Sequence, residues 1–181
     1  MVVAAVRAEM SFYKAHAHEG KDEGSLAALR RECARLLSRG LGRDVPVAAM
    51  MESIRFRAYP DAAPALRELR GLGLTLVCVS NWDVSLPEAL GRCGLDGLLD
   101  GVVTSAGAGA RKPDPAIFAP ALEIAGCEPG EALHVGNTRE EDVEAARGAG
   151  IRALLLDRSG GGDISSLGEL PALTVSIPPH G

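Results

Sequence analysis

The sequence predicts an α/β protein: helices on both faces of a doubly wound parallel sheet, preceded by an all-helical unit of modest size. Three observations predict it. From about residue 59 onward, apolar runs and amphipathic helices alternate strictly, as right-handed βαβ crossovers require. The hydrophobic fraction is 46% but aromatics are only 3%, so Leu, Val, Ile and Ala must build the core, as where helices pack on parallel strands. A length of 181 residues with 24% charged side chains suits one such domain with a small appendage.

The elements follow in order. Residues 1–18 read as helical, and His16, His18, Glu19 and the run Gly20 to Gly24 make a polar connection. Leu26, Leu29, Cys33, Leu36 and Leu37 recur at helical spacing, with Gly40 as the stop, and Val45 to about Phe56 reads as another helix. Tyr59-Pro60-Asp61 marks the boundary between residues 1–58 and 59–181, with Asp61 as N-cap of a helix carrying Leu66, Leu69 and Leu72. Leu74 to Val79 is a strand buried on both faces, and Ser85-Leu86-Pro87-Glu88 is a capping box for the next helix. Val102 to Thr104 is a short strand, and Asp114-Pro115 opens a helix whose interior Pro120 should bend it. Strand 132–135, a helix to Ala149, strand 151–156 and the Gly160-Gly161-Gly162 loop complete the chain.

Composition excludes several functions. A net charge of −5 offers no basic stripe for nucleic acid or an anionic membrane surface, although one or two local cations suffice for a small anionic substrate. No apolar run reaches membrane-spanning length, and Val2 to Val6 is too short for a signal peptide, so the chain reads as cytoplasmic. Cys33, Cys78, Cys93 and Cys127 are scattered, without a C-x-x-C pair, and read as buried free thiols. His16 and His18, two apart on a helix, point away from each other and make no metal pair. His134, inside a strand, reads as a core residue or as one that supports the site from behind.

In open α/β sheets ligands bind beyond the carboxyl ends of the strands. Three strands here are followed by Ser80-Asn81-Trp82-Asp83, by the loop containing Arg111-Lys112-Pro113-Asp114, and by Gly136-Asn137-Thr138 with Asp142 further on. Each has an ordinary alternative: Ser80 a turn residue, Lys112 a solvated charge, Asp142 an answer to a helix dipole, Trp82 simple packing. Their occurrence together, each after a strand, delivers a hydroxyl, an ammonium and an amide–carboxylate pair to one edge.

Val79 to Asp83, Ala110 to Pro115, and His134 to Asp142 together resemble the second, third and fourth motifs of haloacid dehalogenase-like hydrolases. The resemblance implies a three-layer, Rossmann-like core over residues 59–181 and a small helical cap over residues 1–58. It implies that Ser80 binds a phosphoryl oxygen, that Asn81 and Trp82 line the substrate site, and that Lys112 steadies the nucleophile and the transferring group. It implies Mg²⁺ near Asn137 and Asp142, and a small phosphorylated substrate.

Two departures qualify these implications. No D-x-D occurs anywhere in the sequence, whereas that motif supplies the family's nucleophile and its general acid/base. Asn137 also stands where a magnesium-binding aspartate is expected, so Mg²⁺ binding by this chain should be weak or absent. The family's first-motif strand lies between the strands carrying the second and fourth motifs. Its absence leaves three expectations: the neighbouring strands re-pair, a partner supplies the strand (possible self-association included), or Met1 is not the biological start, the last being favoured. The leading reading is a phosphatase-like hydrolase, inactive as written. A fold kept as a binding module and a dehalogenase-like hydrolase are the alternatives.

Overall fold

The computed structural model describes residues 2–174. The chain opens with α1 (Val2–His16), a 3-10 turn, α2 (Glu23–Leu41) and α3 (Val47–Ser53). Asp22 caps α2 by accepting the Ser25 N–H at 2.8 Å, while the Ser25 hydroxyl oxygen accepts the Asp22 N–H at 3.0 Å. Leu29, Cys33, Ala34, Leu37 and Met50 form a hydrophobic cluster of their own, with Phe12 and Tyr13 of α1 packed against it. Gly40 does not stop α2. It lies within the helix where α1 crosses, and a Cβ there would collide with Ala5. Gly42, at φ 66°, makes the left-handed exit instead.

Next come α4 (Ala62–Gly71), β1 (Val77–Ser80), α5 (Leu86–Arg92), β2 (Gly101–Thr104) and α6 (Ser105–Ala108). A 3-10 turn over Pro115–Phe118 leads into α7 (Ala119–Ala125), then β3 (Leu133–Gly136), a wide turn over Arg139–Glu144, α8 (Ala145–Gly148), β4 (Arg152–Leu155) and α9 (Leu170–Thr174). Pro120 therefore bends nothing. The helical stretch restarts at Ala119, and the proline occupies the first turn of α7, where its missing N–H costs no bond.

Two predicted caps are replaced by longer-range bonds. Ser85 donates its hydroxyl to Asp83 rather than capping α5. Asp61 caps nothing at α4 and instead takes Arg158, the Ser166 hydroxyl and the Leu167 N–H, tying the start of the core to its last loop. Those partners hold its carboxyl well below the usual range, the Arg158 bond contributing most. Of the four free cysteines only Cys33 is buried; Cys78, Cys93 and Cys127 are half-buried.

Three layers result. Leu69 of α4 and Leu170 of α9 pack on one face of the strands with Leu133, Val135 and Leu154. Phe118, Ala121, Val143 and Ala146 pack on the other with Val77, Val79, Ala153 and Leu155. This is an α/β, Rossmann-like arrangement, but not one continuous sheet. β1 pairs in parallel with β2, Ser80 opposite Thr104, and β3 with β4, Gly136 opposite Leu155. β1 and β3 do not pair with each other. Re-pairing of the neighbours is thus overturned: a cavity of about 300 Å³ lies between them.

Candidate functional site

The carboxyl ends of β1 and β3 are joined by one side chain. Lys112, 7% exposed, donates from Nζ to the Val79 carbonyl at 3.0 Å and to Asp142 Oδ1 at 2.6 Å. Asn81 fixes that lysine from the backbone: its Oδ1 accepts the Lys112 N–H at 2.8 Å and its Nδ2 donates to the Lys112 carbonyl at 2.9 Å. Both ends of the Asn81 amide are thereby used in positioning Lys112. Ser80, half-buried, is the last residue of β1 and follows the carbonyl that Lys112 contacts.

Asp142 is slightly more buried than the lysine. Its second oxygen accepts the Thr138 N–H at 2.8 Å, and Gly136 is required beside it because a Cβ there would overlap the carboxyl. Burial pushes this carboxyl up. The neighbouring His134 imidazole, the Lys112 ammonium and the Thr138 N–H pull harder, so it stays well below the ordinary carboxylate range. His134 Nε2 lies 3.6 Å from Asp142 Oδ1, beyond ordinary hydrogen-bond length, and is buried facing that carboxylate with no hydrogen bond among the described residues. The imidazole packs edge-on against Phe118.

Trp82 turns the other way, toward the N-terminal helices. Its ring meets Phe56 at 5.2 Å and Tyr13 at 6.3 Å between centroids, while its carbonyl accepts the Ser105 hydroxyl at 3.1 Å. Asp83, next in sequence and 2% exposed, accepts the Tyr13 hydroxyl at 2.8 Å and the Ser85 N–H at 2.8 Å. The Gly20 carbonyl accepts the Val84 N–H at 3.0 Å, closing the seam between the helices and the sheet. Burial, with the Asp83 charge beside it, pushes the Tyr13 phenol far above its usual value.

The structure thus brings Ser80, Asn81, Lys112 and Asp142 to one edge, as expected. Asn137 is exposed beyond the end of β3. The donors do not suit Mg²⁺. One Asp142 oxygen is taken by Lys112 and the other by Thr138, Asn137 offers only a neutral oxygen, and the described residues hold no cluster of three potential metal ligands. Tyr13, Phe56 and the structural role of Asp83 were missed in the sequence. The one available signal was that six aromatic residues occur in the whole chain, and three of them meet here.

Comparison with known proteins agrees with this geometry. A family model described as "Hydrolase: haloacid dehalogenase-like hydrolase" matches residues 6–150. Haloacid dehalogenase-like hydrolase domain-containing protein 3 of Danio rerio is 37% identical over 127 residues, covering 65% of this chain and 52% of the relative. Phosphoserine phosphatase of Thermus thermophilus is 38% identical over 117 residues, covering 64% of this chain and 47% of the relative. The chain spans about half the length of the curated relatives it matches. Among solved structures, a HAD phosphatase from Thermococcus onnurineus superposes with a TM-score of 0.66 at 24% identity, over 93% of this chain and 91% of that one. L-2-haloacid dehalogenase from Xanthobacter autotrophicus with chloropropionic acid covalently bound gives 0.73 at 22%, over 96% and 85%. Both likenesses are of fold.

Proposed function

Because the chain belongs to the haloacid dehalogenase-like hydrolase family, we propose that its site is built for hydrolytic chemistry on a small phosphorylated metabolite. The observation that carries this reading is the buried Lys112 ammonium, held at the Val79 carbonyl with its backbone fixed by Asn81, at the end of the strand that Ser80 closes. A hydroxyl and a desolvated, pre-positioned cation are what a transferring phosphoryl group needs as its charge develops. Trp82 lines the approach from the N-terminal helices. Those helices, residues 1–58, act as a cap over the core of residues 59–181.

The 181 residues themselves hold the anion-binding half of the chemistry. No D-x-D pair occurs among them, and Asp142 is committed to Lys112 and Thr138, so it is neither a free nucleophile nor a free base. That commitment, with the neutral Asn137, favours a second reading in which this chain binds a phosphorylated ligand without turning it over.

Trp82 is the single tryptophan and reports on the site from the adjoining seam, two residues after Ser80. Its emission is titrated with inorganic phosphate and, separately, with chloropropionic acid. A saturable phosphate response, weakened about tenfold in Ser80→Ala by the lost hydrogen bond, supports the phosphate-binding reading. Release of phosphate from phosphoserine by the same protein then separates hydrolase from binding module. Saturation by chloropropionic acid alone transfers the case to the dehalogenase-like reading. Silence toward both anions sinks the site.

A further inference from the structure

Aromatic residues are scarce in this chain and unevenly placed. Six occur in 181 residues, and among the described residues only Phe118 is a buried Phe, Tyr or Trp ring. Tyr13, Phe56 and Trp82 come from separate segments and meet just past the end of β1. Trp82 lies two residues after Ser80, so their Cα atoms are at most about 7 Å apart. Val79, the residue before Ser80, is the one whose carbonyl takes the Lys112 ammonium at 3.0 Å. The ring cluster and the buried cation are therefore served by the same few residues of backbone.

Trp82 is held firmly. Its carbonyl accepts the Ser105 hydroxyl at 3.1 Å and the Ala106 N–H at 3.2 Å. The Tyr13 ring, pinned through its hydroxyl to the buried Asp83, stands at 79° to the indole, and the Phe56 ring at 61°. Neither contact is a face-to-face stack. Phe56 is 45% exposed, in the non-helical stretch 54–59 that returns the chain from α3 to α4, and Trp82 is only half-buried. An isolated exposed ring is ordinary on a protein surface. An exposed ring set against a fixed indole, next to a hydroxyl and a buried ammonium, is the composition of a ligand site: aromatic walls with a few placed polar groups.

We propose that Trp82 and Phe56 form a ring-binding subsite, and that the phosphorylated ligand of Ser80 and Lys112 is an ester of an aromatic or heteroaromatic alcohol. The inference rests on the phosphate-binding reading of that site and adds the chemistry of the rest of the molecule. The phosphoryl group takes the end of β1, and its ring lies toward the N-terminal helices against the two side chains. Offset or edge-on contacts with Trp82 and Phe56 favour a flat aromatic group over an aliphatic one of like size. Because Ser105, Ala106 and Tyr13 already fix Trp82, little side-chain freedom is lost when a third ring joins it. A polyol phosphate meets the same Ser80 and Lys112 but sets its hydroxyls against apolar rings, where they lose water without gaining partners.

The test reads the indole N–H resonance of Trp82, one signal in a chain with one tryptophan. The 181-residue protein is titrated with inorganic phosphate, phenyl phosphate, glycerol 1-phosphate and phenol. Phenyl phosphate should bind at least about tenfold tighter than glycerol 1-phosphate. That ratio should fall about fivefold in Phe56→Ala, and by a similar factor in Phe56→Leu, which keeps apolar bulk at this exposed position without the ring. Binding of inorganic phosphate with a ratio near one overturns the ring subsite and leaves the phosphate site standing. A ratio unchanged in Phe56→Ala also overturns it. So does phenol binding as tightly as phenyl phosphate, which would make the rings a neutral apolar surface. Silence toward all three phosphates removes the phosphate reading and the subsite together.

Discussion

Asp83 and Asp142 invite comparison because both are buried carboxylates just past a strand end, yet each is satisfied differently. Asp83 is surrounded by neutral donors, the Tyr13 phenol and the Ser85 N–H and hydroxyl, and joins the N-terminal helices to the core. Asp142 is paired with a buried ammonium that also reaches the Val79 carbonyl near the end of β1. Burial alone does not separate a structural acid from one at a chemical site. The partners differ: neutral donors fix Asp83 in position, whereas Asp142 balances a buried cation, the one that the proposed function assigns to anion binding.

Removing Asp142 should have the largest effect. Asp142→Ala leaves the Lys112 charge buried and uncompensated, an expected loss of about 3–5 kcal/mol in urea unfolding. The double variant Lys112→Met, Asp142→Leu should recover most of it, since no orphan charge remains. A single-variant loss below about 1 kcal/mol would put the pair among loosely held surface bridges and dissolve the contrast. The same pair sets an acid limit. Asp142 has a folded pKa depressed below its unfolded value, so its contribution is complete above the unfolded carboxylate value near pH 4 and is lost as pH falls through the folded one. Asp61, depressed by Arg158, adds to the same limb. The wild-type midpoint should fall on acidification below about pH 4, and Asp142→Asn should flatten that fall.

The seam should respond less. Asp83→Ala strips partners from the Tyr13 hydroxyl and the Ser85 N–H, for an expected cost of about 1–3 kcal/mol, and shifts Trp82 emission as the unpaired Tyr13 hydroxyl turns its ring toward a new partner. Equal losses for Asp83→Ala and Asp142→Ala would mean the two acids are held alike. Smallest is Tyr13→Phe, which deletes one hydrogen bond and keeps the ring, for about 1 kcal/mol. Its Trp82 emission should stay at the wild-type wavelength, which separates the ring contact from the bond.

Much of this contrast was legible before any coordinates. Ser80, Lys112 and Asp142 each follow an apolar run, and the rule that ligands gather at strand carboxyl ends is enough to bring them together. Asn81 was legible as a site residue but not in its role, because its pairing with the Lys112 backbone spans 31 positions. The aromatic seam was not legible at all. Tyr13, Phe56 and Trp82 lie on separate segments, and no local pattern announces which rings will meet.

The sequence by itself determined the alternation of elements, the Leu-, Val- and Ala-rich core and the residues at the strand ends, because periodicity and turn chemistry act over a few positions. That Gly136 must be small, because a Cβ there would overlap Asp142, was decided by the tertiary structure. Local reading went astray where a residue had a stronger distant partner: Asp61 and Ser85 gave up their caps, and Gly40 served a helix crossing rather than a helix end. Only the tertiary structure decided that the sheet is two pairs held apart. The edges of β1 and β3 did not re-pair: with α4 and α9 packed on one face and α7 on the other, a cavity of about 300 Å³ lies between them.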